Sequence, residues 1–374
     1  MFNRPYLHNV QPPLFWEEMY LFALSLTVGV AIILLARMFP RILAPKKHLN
    51  AVQAAHLTPT PRLGGVAIFA ALILSIALSD SGVTERYTLL LLATSLLFAV
   101  GFLEDLGFGI SARMRLAAAF GSSALVTILI GVWLPRADIP GLDALLPYWF
   151  IGIPITLFVT AGVANAFNLI DGVHGLACMT AIFAAIALAI IAKNADLNGI
   201  SHLNLMLAFC IAGVFVLNFP WGIIFLGDAG AYVSGFALSW LGIAILTNSA
   251  DVTPWAILLV VFWPVADAML AIFRRSRRNH ATMAPDRMHA HQLVMRALEL
   301  RGYRRTVANP LTTIILAPFI AFPAVLGVIF WNAPLMAFLS VLGCGIGFVA
   351  AYNLGIKLIM RLRIWQRALV SRQI

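Results

Sequence analysis

An all-α, polytopic membrane fold follows from three observations on the 374-residue chain. Hydrophobic residues make up 61% of it and charged residues only 11%, against roughly 45–50% and about 25% in soluble proteins. The apolar residues gather into runs long enough to cross a bilayer. The basic residues gather in the segments on one side of those runs. A soluble core of this length cannot absorb so much apolar surface, so the excess faces lipid. Disordered, collagen-like and disulfide-stapled classes are excluded by the same numbers. Cys178, Cys210 and Cys344 lie inside apolar runs without CxxC spacing and read as small buried hydrophobes.

Crossing the hydrocarbon as a helix takes roughly 17–25 apolar residues. The runs place eleven helices, near 19–38, 65–79, 87–103, 116–134, 147–166, 176–192, 203–219, 231–247, 254–273, 311–330 and 335–356. The second and third are separated only by a short polar stretch with Asp80, Glu85 and Arg86. The first is too long for a signal-peptide core, follows Glu17 and Glu18, and lacks a small-residue cleavage site, so it is expected to stay.

Eleven spans put the two termini on opposite sides. Of the 25 Lys and Arg residues, 21 fall within 37–62, 104–115, 274–309 and 357–374. Only Arg4, Arg86, Arg136 and Lys193 lie on the other side. Basic residues favour cytoplasmic loops, so the N-terminus is expected outside and the C-terminus in the cytoplasm. Topology accounts for the net charge of +10 without a nucleic-acid partner. The chain reads as one membrane-embedded domain, 1–374, with cytoplasmic loops at 45–65, 101–115, 165–176, 220–231 and 274–309.

Acidic residues sort by side. Glu17, Glu18, Asp80, Glu85, Asp138, Asp143, Asp196 and Asp251 fall in outer segments and call for no special role. Asp267 lies inside the ninth span, near its cytoplasmic end. Glu104, Asp105, Asp171 and Asp228 hug the cytoplasmic ends of apolar helices. A carboxylate at a membrane boundary is expensive unless paired, which makes it a functional candidate.

Five clusters occupy the cytoplasmic face. In the first, Thr58-Pro-Thr-Pro-Arg-Leu-Gly64-Gly65, two glycines at a helix start either expose N–H groups to an anion or allow close helix packing. The second holds the adjacent Glu104 and Asp105, followed by Arg113 and Arg115. Paired carboxylates repel unless a proton or cation sits between them, which suits a general base or a magnesium site, with a solvated helix cap as the alternative. The third, Asn165 to Leu176, sets Asn165, Asn168 and Asp171 three apart on one helix face and ends in Gly172-Val-His174-Gly175. The fourth, Phe225-Leu-Gly-Asp228-Ala-Gly, places a carboxylate in a Gly-flanked turn, as a hard oxygen donor for magnesium with a substrate phosphate or as an N-cap. The fifth runs from Asp286 and Arg287 to His289 and His291. Its histidines are two apart and do not form an i, i+4 zinc pair, while arginine and histidine together suit nucleotide phosphates.

In this order, TPRLGG, the acidic pair, NAFNLIDGVHGL, FLGDAG and DRMHAH resemble the polyprenyl-phosphate N-acetylhexosamine-1-phosphate transferases, over about 45–300. The resemblance implies transfer of a sugar-1-phosphate from a UDP-N-acetylhexosamine-type donor to undecaprenyl phosphate, with release of UMP. It implies Mg2+, with Mn2+ as the alternative ion, bound by Asp228 and Asn168, and an activating role for Glu104 and Asp105. Uracil is expected near His174 and Phe225, and the pyrophosphate near His289 and His291. Asn165, Asp171, Arg115, Arg287, Gly64 and Gly65 complete the expected substrate contacts. The implied setting is a bacterial cytoplasmic (inner) membrane, among its lipids. Oligomeric state is left open, a homodimer included.

Four positions depart from the family pattern. The usual Asp-Asp is Glu104-Asp105, the second Asp of DGxDG is His174, His-x-His-His ends in Gln292, and Ala231 replaces a serine. These differences argue against the phospho-N-acetylmuramoyl-pentapeptide transferase, the runner-up, and favour a branch that starts O-antigen or another surface glycan. A transporter of lipid-linked sugars is the alternative from another class. It calls for charges near the bilayer midplane, whereas only Asp267 is intramembrane and the clusters crowd one face.

Overall fold

A computed structural model describes residues 15–43, 60–79, 81–277 and 288–370, and no strand occurs among them. The helices are α1 Phe15–Met38, α2 Pro40–Leu43, α3 Gly64–Leu78, α4 Ser81–Asp105, α5 Ala112–Ile130, α6 Leu142–Leu145, α7 Trp149–Ile170, α8 Leu176–Asn194, α9 Asn198–Asn218, α10 Gly227–Asn248, α11 Pro254–Val260, α12 Phe262–Arg277, α13 Ala290–Leu300, α14 Arg305–Ile329 and α15 Pro334–Val370. Among the described residues nine helices are long and apolar enough to cross a membrane: α1, α4, α5, α7, α8, α9, α10, α14 and α15. The protein is a polytopic, all-helical membrane protein.

Each of the eleven expected segments coincides with helix, but two are not simple spans. The second, α3, has 15 residues, roughly 22 Å of helix against a hydrocarbon core of about 30 Å. The ninth is two helices, α11 and α12, bent by 82° at their junction. Pro264 explains the break: it lacks the N–H that would bond the Val260 carbonyl, and its ring crowds that turn. The expected single helix over 254–273 is therefore corrected to a broken pair.

Helix α10 is the axis of the bundle. It packs against α3, α4, α7, α8 and α9, and almost every one of its side chains is buried. The sequence makes this possible through small residues, which let backbones approach where lipid offers no hydrophobic drive for helix association. A Cβ on Gly101 of α4 would lie 2.7 Å from Ala229 Cα, and one on Gly235 would lie 2.9 Å from Ala164 Cα of α7. At the opposite pole α15 exposes most of its apolar surface, as a peripheral helix facing lipid does.

Two acids at the bundle end away from the Asp105 end of α4 have partners. Asp138 accepts from the Thr253 hydroxyl at 2.6 Å, beside Arg136, whose guanidinium donates to the carbonyls of Leu246, Ser249, Ala250 and Val252. Glu18, expected to need no special account, is instead buried, with Oε1 3.6 Å from His202 Nε2. The tight packing of α1 on α9 draws both side chains out of solvent.

The approach of α3 to α10 is the closest test of this packing. A Cβ on Gly65 would lie 2.7 Å from Gly230 Cα and 2.9 Å from the Ala229 carbonyl carbon, and neither backbone can yield. Gly65→Ala is expected to destabilise the protein by about 1–3 kcal/mol, the usual range for overpacking. Thermal unfolding in detergent checks it; a midpoint equal to that of the unmodified protein would show that the helices can part there.

Candidate active site

The carboxylates of three sequence clusters converge on the first turn of α10. That turn starts at Gly227, whose positive φ of 75° needs glycine, and its N-cap, Leu226, offers no side-chain acceptor. The exposed amides are capped from elsewhere. Asp105, the last residue of α4, accepts from the N–H groups of Asp228 and Ala229, both at 2.9 Å. Asp171, just past α7, accepts from the Gly227 N–H at 3.1 Å. Carboxylates at a helix N-terminus satisfy orphan donors and meet the positive end of the helix dipole.

Asp228 is not the N-cap that its Gly-flanked turn allowed: Leu226 holds that position, and both Asp228 oxygens are paired. Its Oδ1 lies 2.9 Å from Arg62 Nη2, and its Oδ2 is paired with Arg115 Nη1 at the start of α5. Arg62 Nε also lies 3.8 Å from Asp105 Oδ1. Burial alone would lower the Arg62 pKa, but the charges of Asp228, Asp105, Asp171 and Glu104 outweigh it and raise it. Burial pushes Asp171 up to about 6; Arg62 opposes the rise and the Asp228 charge adds to it. Glu104 acts on both arginines through its charge, and its Oε2 is buried without a hydrogen-bond partner among the described residues.

The backbone on either side of Arg62 is held in place. The Phe225 N–H donates to the Pro61 carbonyl at 2.9 Å, the Gly64 N–H to the Phe225 carbonyl at 2.9 Å and the Gly65 N–H to the Leu226 carbonyl at 2.8 Å. Gly64 and Gly65, offered above as an anion site, are thereby assigned to close packing: their amides are spent on carbonyls. The stretch before Thr60 lies outside the described residues.

The asparagines reach the cluster through Tyr232. Its hydroxyl donates to Asn165 Oδ1 at 3.4 Å and neighbours Asn168, while its ring lies within electrostatic reach of Asp228 and Arg115. On the other flank, His174 Nδ1 lies 2.9 Å from the Pro220 carbonyl, and its ring meets Phe225 edge-on at 5.5 Å. Asn309 Oδ1 accepts from the His174 N–H at 2.8 Å, and Thr313 donates to its carbonyl at 2.7 Å. Burial lowers the His174 pKa, with the Pro220 carbonyl opposing, which favours a neutral ring.

His289 and His291 meet at a further carboxylate, Asp267. His289 Nδ1 lies 2.9 Å from Asp267 Oδ2, the Ala290 N–H donates to Asp267 Oδ1 at 3.0 Å, and the two imidazoles stack at 5.7 Å. Both rings are buried, and no hydrogen bond or ion pair among the described residues joins them to Asp228. Arg287 and Asp286 lie outside the described residues.

Comparison with known proteins matches residues 87–246 to the model of glycosyl transferase family 4. The chain is 27% identical over 236 residues to a probable undecaprenyl-phosphate N-acetylglucosaminyl 1-phosphate transferase of Bacillus subtilis, covering 63% of this chain and 65% of that one. It is 27% identical over 286 residues to a decaprenyl-phosphate N-acetylglucosaminephosphotransferase of Mycobacterium tuberculosis, covering 67% and 69%. A Salmonella typhimurium undecaprenyl-phosphate alpha-N-acetylglucosaminyl 1-phosphate transferase is 28% identical over 259 residues, covering 65% and 67%. The chain is thus similar to glycosyl transferase family 4 over residues 87–246.

Sequence reading named Asp105, Asp171, Asp228 and Arg115, and the structure brings them together. It missed Arg62, Tyr232 and Asp267. Arg62 stood inside a quoted motif and Asp267 was marked as the intramembrane acid; what neither spacing could supply was the partner. Asn218 also escaped notice, though its side chain bridges the Gly175 N–H and the Ile224 carbonyl and so ties the third cluster to the fourth.

The histidine centre sets a pH dependence. Burial lowers the His291 pKa to about 4; neighbouring His289 lowers it too, and Asp267 opposes. The folded state therefore binds fewer protons than the unfolded state between about pH 4 and the ordinary value of 6.5. Stability from this group is full above that window and is lost as pH falls through it, by about 2 kcal/mol at pH 5. Unfolding in detergent at pH 7 and pH 5 checks this: His291→Asn should lose less on acidification than the unmodified protein, and equal losses would contradict the assignment.

Proposed function

We propose that this protein transfers an N-acetylhexosamine-1-phosphate, or its 6-deoxy form, from a UDP-sugar to undecaprenyl phosphate in a bacterial cytoplasmic membrane, starting O-antigen or another surface glycan. The observation that carries this reading is the cluster of Asp105, Asp171 and Asp228 with Arg62 and Arg115 at one end of a lipid-spanning bundle. A lipid phosphate can reach that end sideways from the bilayer, and a water-soluble nucleotide from the aqueous side. The relatives' names, which carry polyprenyl phosphate and N-acetylglucosamine, support the same substrates.

In the reaction, a phosphate oxygen of the lipid attacks the phosphorus bonded to the sugar. The bond from that phosphorus to the bridging oxygen breaks, and UMP leaves with the bridging oxygen. The lipid phosphate is mostly dianionic at neutral pH, its second pKa being about 6. The proton of the remaining monoanion passes to Glu104 Oε2, the carboxylate oxygen left without a partner. Asp105, with both oxygens engaged by amides, acts by holding Asp228 in position. Arg62 and Arg115 supply guanidinium groups for phosphate oxygens, which they match in geometry as well as charge. His174 and Phe225 offer a ring wall for the uracil.

The donor set fits Mg2+. Four carboxylates, Glu104, Asp105, Asp171 and Asp228, face two guanidiniums, and Glu104 Oε2 is an orphaned hard donor. Among the described residues no three carboxylate, imidazole or thiol side chains form a metal cage, and magnesium does not require one: it is commonly held by one or two carboxylates plus substrate phosphates. Asp228 and Asn168 would hold it. When bound, it would neutralise the charge that gathers on the diphosphate.

Asp228→Asn is expected to lower UMP release from UDP-N-acetylglucosamine and undecaprenyl phosphate by roughly 10²–10³-fold, as loss of a transition-state contact does. Near-normal turnover at saturating Mg2+ would exclude Asp228 as the ligand.

The reading also needs the cluster to face the cytoplasm, where UDP-sugars are made. In a cysteine-free background, Tyr303→Cys, exposed beside α13, should resist an impermeant thiol reagent in intact cells and react after lysis. Asn194→Cys, exposed at the end of α8, should react in intact cells. The reverse pattern would overturn the orientation.

A further inference from the structure

Asp228 has both carboxylate oxygens closed by guanidinium groups, Oδ1 by Arg62 and Oδ2 by Arg115. For it to ligate a cation, one guanidinium must leave. The two arginines are not equivalent in what leaving would mean. Arg115 makes no other ion pair among the described residues, and its Nε has no hydrogen-bond partner there. Arg62 has a second carboxylate within reach, Asp105 at 3.8 Å, and feels the charge of Asp171 as well. It can release Asp228 without becoming an unpaired buried charge. The residues that flank it, Pro61, Gly64 and Gly65, are pinned to Phe225 and Leu226, so only the side chain has to turn.

We propose that Arg62 is an exchangeable counter-ion. It occupies Asp228 in the resting enzyme, yields that carboxylate to a divalent cation, and presents the freed guanidinium to the diphosphate of the sugar nucleotide. The exchange couples two events that charge balance requires together. A cation added while Arg62 kept its place would crowd positive charge around Asp228, and a diphosphate added without the cation would face Glu104, Asp105 and Asp171. Arriving together, cation and diphosphate each take a partner that the other has freed. The inference rests on the magnesium reading above and adds to it the occupant that magnesium displaces.

The test is binding in purified, full-length protein, without turnover. Mn2+ is titrated by electron paramagnetic resonance, and UDP in the presence of Mg2+ by calorimetry. Arg62→Gln removes the competing charge, so Mn2+ alone should bind about tenfold more tightly, while UDP with Mg2+ should bind about tenfold more weakly. A residue that merely shaped the site would weaken both. Arg62→Lys keeps the charge with a shorter reach and no fork; it should give changes of the same signs, about threefold each, and serves if the glutamine variant does not fold. Mn2+ affinity in these variants equal to or weaker than that of the unmodified protein would overturn the exchange. If the unmodified protein bound no Mn2+, with or without UDP, the magnesium reading itself would fail, and the exchange with it.

Discussion

Every element of the candidate site is referred to the exposed amides at the N-terminus of α10. A helix that begins inside a membrane protein leaves N–H groups that water cannot reach, and they must find acceptors. Here the acceptors come from other helices: Asp105 at the end of α4 and Asp171 at the end of α7. Satisfying the helix start thus gathers carboxylates from distant parts of the chain. Those carboxylates demand counter-charge, which Arg62 and Arg115 provide from the starts of two further helices. The charged centre is thus a structural joint as well as the candidate active site.

The close packing around α10 serves the same end. Gly65, Gly101 and Gly235 allow neighbouring backbones to touch it, and Gly64 allows α3 to approach Phe225 and Leu226 just before it, so the capping carboxylates stand at fixed distances from Asp228. Larger residues would move α3 or α4 outward and with them Arg62 or Asp105. The glycines that look like a phosphate loop in sequence act one step back, by placing the charged side chains around Asp228.

Asp267 with His289 and His291 is organised on different terms. A buried carboxylate there accepts from an imidazole and from a backbone amide, and it ties the start of α13 to the middle of α12. The family resemblance led to an expectation of these histidines beside a pyrophosphate. Among the described residues the hydrogen bonds of His289 run to Asp267, which makes this centre a joint between α12 and the start of α13.

The sequence by itself determined the membrane class, the position of nearly every helix, and the gathering of polar clusters at their ends on one face. These follow from composition and from apolar run length, which are local properties that lipid enforces directly. It also marked Asp105, Asp171, Asp228 and Arg115, because a charge at a membrane boundary stands out in an apolar background. Only the tertiary structure decided how those charges pair. That Asp105 caps a helix 123 residues away, that Arg62 closes Asp228, and that Gly65 packs on a backbone instead of binding an anion depend on which helix ends meet. The bend at Pro264 belongs to the same class, since proline permits either a kink or a break and the neighbouring packing chooses. Pairings between helix ends have no periodicity in sequence, so they become visible only once the helices are set side by side.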